Sequence, residues 1–355
     1  MKHIKPLILS LITALSLLLS ACSSTHAENG SADDTNDPAA LKYGNITQNN
    51  KTGSTLGGLF CSADNKIFFS NFNDNGYIYS YDKETERSEL VVEMPARFIN
   101  YYDGKLYFLF VYDNKNFDTR NNAFIGELYC CHIQSGECVK LAESHVINGL
   151  VVTNEGIYYN SIPIPGSSLD PPELWHLSFD GSAPELCDYT YFLRDEEYIV
   201  DEKGLHELTE DKLGISYDLP LEIAIDENSV KGACVYKNKL MTYSDKVLNI
   251  TDLSDGSVSR VNISELEKAD NNIKIDLSDF ILLGDYLYIA YNSNFMCRIC
   301  LSDNEPEFIC NTKGTYSFSK LYTDEKDLYA LSYRSGPKIV KLEIDEDKIT
   351  TKELK

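Results

Sequence analysis

The chain has 355 residues, of which 43% are apolar, and its 55 acidic and 32 basic side chains give a formal net charge of −23. This apolar content supports a sizeable core. An acidic surface repels phosphate backbones and anionic lipids, so nucleic acid is excluded as an expected partner. After the N-terminal region, no apolar run exceeds the seven residues 106–112, so the mature chain is predicted to have no transmembrane segment.

The first 21 residues have the pattern of a lipoprotein signal peptide. A basic start, Lys2 to Lys5, precedes a predominantly apolar stretch of 13 residues, Leu7 to Leu19, which is too short to span a bilayer. It ends in Leu19-Ser20-Ala21-Cys22, small residues followed by a thiol. We therefore predict cleavage after residue 21 and lipidation of Cys22. The alternative is an ordinary secretory signal with an incidental cysteine.

Residues 22–43 are rich in Ser, Thr, Asn, Asp, Ala and Gly and have almost no bulky apolar side chain. This composition is typical of a flexible tether. Two acyl chains on Cys22 would anchor the protein stably. The predicted location is therefore extracytoplasmic, with lipid as the only contact with the membrane, and residues 44–355 form the domain.

A repeated unit defines this domain. Its clearest copy is a tight turn, Asp103-Gly104, followed by an apolar and aromatic run. Variants recur every 39 to 51 residues, the period of four-stranded propeller blades. Taking the apolar pair after each turn as the marker gives Ile67-Phe68, Leu106-Tyr107, Ile157-Tyr158, Tyr198-Ile199, Leu240-Met241, Leu287-Tyr288 and Leu328-Tyr329.

Most markers are followed by a second alternating segment, such as Ile78-Tyr79-Ser80-Tyr81, and then by a hairpin turn, such as Ser135-Gly136. The unit reads as strand, turn, strand, loop, strand, hairpin and strand. We predict an all-β protein, a β-propeller with seven four-stranded blades. The fourth copy, around Tyr198, is the weakest, and six blades are the alternative.

The sequence resembles a family of exported bacterial lipoproteins. The resemblance is carried by Gly44-Asn45-Ile46, Gly57-Gly58, residues 66–71 and residues 77–82, and it extends to about residue 200. Proteins of this family carry a domain of unknown function that is similar to the propellers of low-density-lipoprotein-receptor proteins. The resemblance implies a propeller fold and an extracytoplasmic location, and it brings no catalytic residues.

Four long connections are predicted to open on one face of the propeller. Residues 113–122 and 161–173 lengthen the connections between the second and third strands of blades two and three, and residues 218–228 and 264–274 join blades. Loops held by a rigid ring commonly bind partners. The alternative is that long surface loops are merely tolerated. The candidate binding residues are Tyr112, Asn116, Phe117, Asp118, Arg120, Ile162, Pro163 and Pro165.

Nine of the ten cysteines remain once Cys22 is lipidated, so at least one is unpaired. One disulfide depends on the register of the sixth blade. If its hairpin turns at Asp303-Asn304, Cys297 lies opposite Cys310, whereas a turn one residue earlier places Phe308 there. Cys297 and Cys300 have the spacing of a redox motif but lie in an alternating strand.

No segment has the pattern of a catalytic, metal or cofactor site. Residues 71–82 imitate a calcium loop but have Asn71 and Asp82 where such a loop has Asp and Glu. Trp175 occupies the same strand position as Tyr79 and Tyr129 in neighbouring blades, which predicts packing between blades. We expect no enzyme activity, no metal and no cofactor.

The sequence therefore predicts a lipid-anchored binding or scaffold module whose partner is another envelope protein. A glycan or peptide ligand is the alternative within binding. A hydrolase or lyase acting on a polysaccharide, with carboxylates near the central channel, is the alternative of a different class.

Overall fold

The computed structural model describes residues 58–354. The gaps within this range are 112–116, 119–122, 125, 143–146, 153–155, 162–172, 180–182, 188–193, 196–197, 202–203, 210–211, 218–231, 237–238, 245, 253, 270–276, 293–294, 303–305, 310–317, 334–335 and 346–347. Contacts divide the chain into the units Met1–Asp37 and Pro38–Lys355, and every described residue belongs to the second. Among these residues no helix has the length and apolarity needed to span a bilayer.

The first three blades follow one another along the chain. Blade one contains β1 (Phe60–Ala63), β2 (Lys66–Asn71), β3 (Tyr77–Asp82) and the first half of β4 (Arg87–Tyr102). Blade two contains the second half of β4, β5 (Lys105–Phe110), β8 (Glu127–His132) and β9 (Cys138–Ala142), with β6 (Phe117–Asp118) and β7 (Ala123–Phe124) in its insertion. Blade three contains β10 (Ile147–Val152), β11 (Ile157–Ser161), β12 (Glu173–Leu177) and β13 (Glu185–Leu186).

Four further blades complete the series. Blade four contains β14 (Arg194–Asp195), β15 (Tyr198–Asp201), β16 (Gly204–Thr209) and β17 (Lys212–Tyr217). Blade five contains β18 (Gly232–Tyr236), β19 (Lys239–Ser244), β20 (Val247–Asp252) and β21 (Val258–Asn262), followed by helix α1 (Ile263–Ala269). Blade six contains β22 (Leu277–Leu283), β23 (Tyr286–Tyr291), β24 (Phe295–Cys300) and β25 (Pro306–Ile309), and blade seven β26 (Phe318–Thr323), β27 (Leu328–Ser332), β28 (Lys338–Asp345) and β29 (Lys348–Glu353).

The predicted repeat is confirmed. Each marker pair lies in the second strand of a four-stranded antiparallel unit, including the weak fourth copy in β15. Blades one and two share the long strand β4, which pairs with β3 up to Pro95 and with β5 from Ala96 onward. Proline cannot donate a ladder hydrogen bond, so the strand changes partner at that residue. The described residues therefore form seven blades.

The core lies between the blades. Four clusters of buried apolar side chains join blades one and two, two and three, five and six, and six and seven. A fifth cluster joins the two ends of the repeat series, because Phe60, Ile67 and Phe69 of blade one pack on Tyr329 and Leu331 of blade seven. The first and last blades are thus in contact, and their strands come from opposite ends of the domain.

The strand order defines two faces. The connections from second to third strands and from each blade to the next open on what we call the long-loop face. The turns from first to second and from third to fourth strands open on the opposite face. Asp103 and Gly104 form such a turn with positive φ angles of 47° and 72°, as expected for a tight hairpin.

One connection between blades contains a helix that the sequence analysis did not predict. Helix α1 begins just after Asn262, whose side chain accepts a hydrogen bond from the backbone N–H of Ser264 at 2.9 Å. Ile263 and Leu266, three residues apart, are buried in the cluster between blades five and six. One apolar turn is too short a pattern to predict a helix from sequence.

The hairpin of blade two contains a disulfide between Cys131 and Cys138 that was not predicted. The two residues are direct partners across β8 and β9, with Cα atoms 4.0 Å apart. In blade six, Phe308 is the strand partner of Cys297, which is the second of the two registers considered. Cys310 lies outside the described residues, and the register observed is not the one on which its predicted disulfide with Cys297 depended.

We expect reduction of Cys131–Cys138 to lower the free energy of unfolding by about 2 kcal/mol, because the open thiols no longer restrict the unfolded chain. Urea titrations with and without reductant measure this difference. A double variant with both cysteines changed to alanine is the control and should be insensitive to reductant. If reductant destabilised this double variant as much as the wild type, the effect would not come from reduction of the Cys131–Cys138 disulfide.

Candidate functional site

The described residues include only part of the predicted loop site. Tyr112, Asn116, Arg120, Ile162, Pro163 and Pro165 lie outside them, as does Cys22. The backbone of Phe117 and Asp118 is described and forms β6. The loop residues therefore stay predictions, and the site must be argued from the strands that carry the long connections.

The insertion of blade two pairs with blade three. Phe117 and Asp118 pair with Phe124 and Ala123 of β7, and Phe124 in turn pairs with Ile147 at the start of β10. Because β10 is the first strand of its blade, the two short strands extend the blade-three sheet beyond that strand. The insertion is therefore anchored by backbone pairing at the long-loop face.

Three successive blades place an aromatic side chain next to a carboxylate at this face. The Tyr79 hydroxyl donates to Asp74 at 2.6 Å. The Tyr129 hydroxyl donates to Glu127 at 3.3 Å, and Trp175 Nε1 donates to Glu173 at 3.3 Å. Each aromatic residue is the third residue of its blade's third strand. We call these the aromatic–carboxylate pairs of blades one, two and three.

Strand geometry explains why these pairs form. Residues two apart in a strand lie on one side of the sheet, so Glu127 and Glu173 lie beside Tyr129 and Trp175 at the first positions of β8 and β12. In blade one the carboxylate comes instead from the 3-10 helix Phe72–Asp74, which follows β2. Each third strand begins at the long-loop face, so all three pairs belong to that face.

The aromatic rings are half-buried. Tyr79 packs against the cluster between blades seven and one, Tyr129 against that between blades one and two, and Trp175 against that between blades two and three. The prediction that Trp175 contributes to packing between blades is confirmed. The rings are thereby held rigidly, while their polar atoms and the carboxylates remain near the surface.

The residues across the strand from these rings differ between blades. Tyr129 pairs with Lys140, whereas Tyr79 pairs with Leu90 and Trp175 pairs with Leu186. Direct partners lie on the same side of a sheet. The two leucines are 48% and 54% exposed, so the first and third pairs each border an exposed apolar side chain.

The hydrogen bond with Asp74 raises the pKa of Tyr79 above its usual value of 10.0, because the carboxylate stabilises the protonated phenol. We expect Asp74→Asn to bring this pKa back toward 10.0. A titration of labelled tyrosine carbons by nuclear magnetic resonance, with Tyr79→Phe to assign the signal, measures it. Asp103→Asn on the opposite face is the control, and an equal shift there would contradict the assignment to Asp74.

A second polar group lies on the inner strands. Arg97 of β4 is 5% exposed, its Nη1 donates to the Ala96 carbonyl at 3.1 Å, and its Cζ lies 4.8 Å from the centre of the Phe72 ring. Burial lowers its pKa to about 10, and Tyr322 and Tyr333 oppose this change, so the guanidinium stays charged at neutral pH. These contacts join the turn of blade one to blade two, which is a structural role.

Sequence reasoning missed the aromatic–carboxylate pairs although a signal for two of them was present. Glu127-Leu128-Tyr129 and Glu173-Leu174-Trp175 have the same spacing at the same strand position. Asp74 could not be found in this way, because a turn of irregular geometry brings it to Tyr79.

No protein-family model and no curated protein matches this chain. Among solved structures it is similar to YCF48 bound to a D1 peptide, with a TM-score of 0.52, 6% identity and coverage of 88% of this chain and 99% of that one. The chain has the β-propeller fold. A puromycin hydrolase S511A mutant complexed with PGG also has a TM-score of 0.52, with 11% identity over 90% of this chain and 55% of that one. The WD40 propeller of Doa1 has a TM-score of 0.46, with 11% identity over 76% and 86%.

The chain thus spans about half the length of the puromycin hydrolase. At identities of 6% and 11%, the similarities to YCF48 and to the puromycin hydrolase show the fold alone.

Proposed function

We propose that this protein is a lipid-anchored, extracytoplasmic β-propeller that binds another envelope protein through its long-loop face. The observation that carries the proposal is the repetition of an aromatic–carboxylate pair at this face in blades one, two and three. Aromatic side chains that are held by packing and keep a polar edge at the surface are the groups most often found at the centre of protein interfaces.

Two further observations support the proposal. The insertion of blade two is anchored to blade three at the long-loop face through the strands β6 and β7. The YCF48 propeller, which shares the fold, is bound to a peptide.

Affinity capture from detergent-solubilised envelopes tests this proposal. The bait is the mature protein, and the variant has the two insertions shortened to tight turns within 113–122 and 162–172, which leaves Glu173 in place. We expect one stoichiometric protein to bind the wild type and to be lost with the variant. Capture of the same proteins by the wild type and the variant would contradict the proposal that this face binds the partner. Turnover of an envelope polysaccharide that depends on channel carboxylates would instead support a hydrolase or lyase.

A further inference from the structure

Blade two contains an internal example of what an aromatic–carboxylate pair binds. Glu127 Oε2 accepts from the Tyr129 hydroxyl, and Glu127 Oε1 accepts from Lys140 Nζ at 3.3 Å. Lys140 is the direct strand partner of Tyr129, so the aliphatic part of the lysine starts beside the ring while its ammonium reaches the carboxylate. The arrangement binds a lysine side chain of the same molecule.

Blades one and three repeat the pair with a leucine at the position of that lysine. Asp74 with Tyr79 and Glu173 with Trp175 have hydrogen bonds of the same type, but their strand neighbours are Leu90 and Leu186. A leucine cannot donate to the carboxylate. It extends the apolar surface next to the ring, on which the methylene groups of an incoming side chain can lie.

We propose that the pairs of blades one and three each bind a lysine side chain of the partner protein. The ammonium group binds Asp74 or Glu173, and the stem lies on the apolar surface formed by the aromatic ring and the exposed leucine. A carboxylate that already accepts one hydrogen bond still has acceptor capacity for an ammonium, and a cation near an aromatic face is further stabilised. The proposal rests on the proposed function, because it names the partner chemistry of the same face.

The charge of the whole protein favours the same class of partner. A formal net charge of −23 attracts cationic surfaces and accelerates their encounter. Charge alone would attract any basic protein to any face, whereas the two pairs assign lysine binding to the third strands of blades one and three. Any test must therefore distinguish the effect of where a carboxylate is removed from the effect of the change in net charge.

The test measures the affinity of a short lysine-rich peptide, with a glutamate-rich peptide of the same length as the negative probe. The double variant Asp74→Asn, Glu173→Gln removes two charges and keeps both acceptors. Its matched control, Asp103→Asn with Asp285→Asn, removes two charges from exposed turns of the opposite face. We expect the affinity for the lysine-rich peptide to fall about tenfold in the first variant, because one exposed ion pair contributes a factor of about five or less and two are lost. In the control variant the affinity should fall less than about twofold.

A gain of binding provides the second arm. Lys140→Leu gives blade two the same residues as its neighbours, and we expect the affinity for the lysine-rich peptide to rise by about threefold, the effect of one further exposed ion pair. Lys326→Leu makes the same charge change at an exposed turn of the opposite face and should have no effect. The double variant Leu90→Lys, Leu186→Lys should give each pair a lysine of the same molecule. It should therefore weaken binding of the lysine-rich peptide.

Equal losses in the two double variants would show attraction by net charge alone and overturn the proposal. An unchanged affinity for Lys140→Leu would also overturn it. The envelope partner distinguishes this failure from failure of the proposed function. If that partner is lost when the insertions are shortened but is retained by Asp74→Asn with Glu173→Gln, the recognition face stands and the lysine sites do not.

Discussion

Phe60→Ala is expected to lower the free energy of unfolding by about 3–5 kcal/mol. Phe60 has no exposed surface, and its ring centre lies 4.9 Å from that of Tyr329 and 5.5 Å from that of Tyr322. The alanine would leave a cavity where blade one packs on blade seven. Urea denaturation followed by circular dichroism measures the change.

The large effect follows from how the two ends of the domain meet. In many-bladed proteins the ring must close for the chain to be stable. Here the strands of blade one and blade seven form separate sheets in the described residues, so the contact between these two blades is made by side chains. Two ion pairs also join these blades, Lys83–Asp324 at 3.1 Å and Lys352–Glu86. The second is largely exposed to solvent, and exposed pairs contribute little.

The control for Phe60→Ala is Val139→Ala in the outer strand of blade two. Val139 is 49% exposed, and its truncation should change the stability by about 0.5 kcal/mol or less. A loss below about 1 kcal/mol for Phe60→Ala would contradict a stabilising role for this contact.

Gly126→Ala is expected to destabilise the protein by about 3 kcal/mol, at the upper end of the range for overpacking. A Cβ atom at this position would lie 2.2 Å from the Phe110 carbonyl oxygen and 3.0 Å from side-chain atoms of Leu109. Backbone atoms cannot move aside cheaply, so β5 and β8 would have to separate where the insertion ends. Thermal and urea unfolding measure the loss.

Gly104→Ala separates this steric effect from backbone strain. A Cβ atom at Gly104 would meet nothing within 4 Å, but its φ of 72° disfavours alanine. The expected cost is about 1–2 kcal/mol. If Gly126→Ala cost no more than Gly104→Ala, the close approach at Phe110 would not determine stability. Because Gly126 ends the insertion, its variant should also bind the envelope partner more weakly.

Local pattern determined the repeat and hence the fold. Apolar residues alternate in each copy, and the turns have the residues that positive φ angles require, as at Asp103 and Gly104. These signals are short-range, so they can be read from neighbouring residues. For the same reason the third-strand position of Trp175 was predicted, whereas the seven-residue helix α1 was too short to show a helical pattern.

Contacts between distant residues were decided by the tertiary structure. The register of one hairpin brings Cys131 to Cys138, and a turn brings Asp74 to Tyr79. A shift of the strand register by one residue would turn every side chain of that strand to the other face of the sheet. Composition alone therefore does not determine either contact. The sequence alone determined a repeated sheet protein with an export signal pattern. Only the packing of blade on blade decided which aromatic rings and carboxylates share a surface, because that depends on residues far apart in the chain.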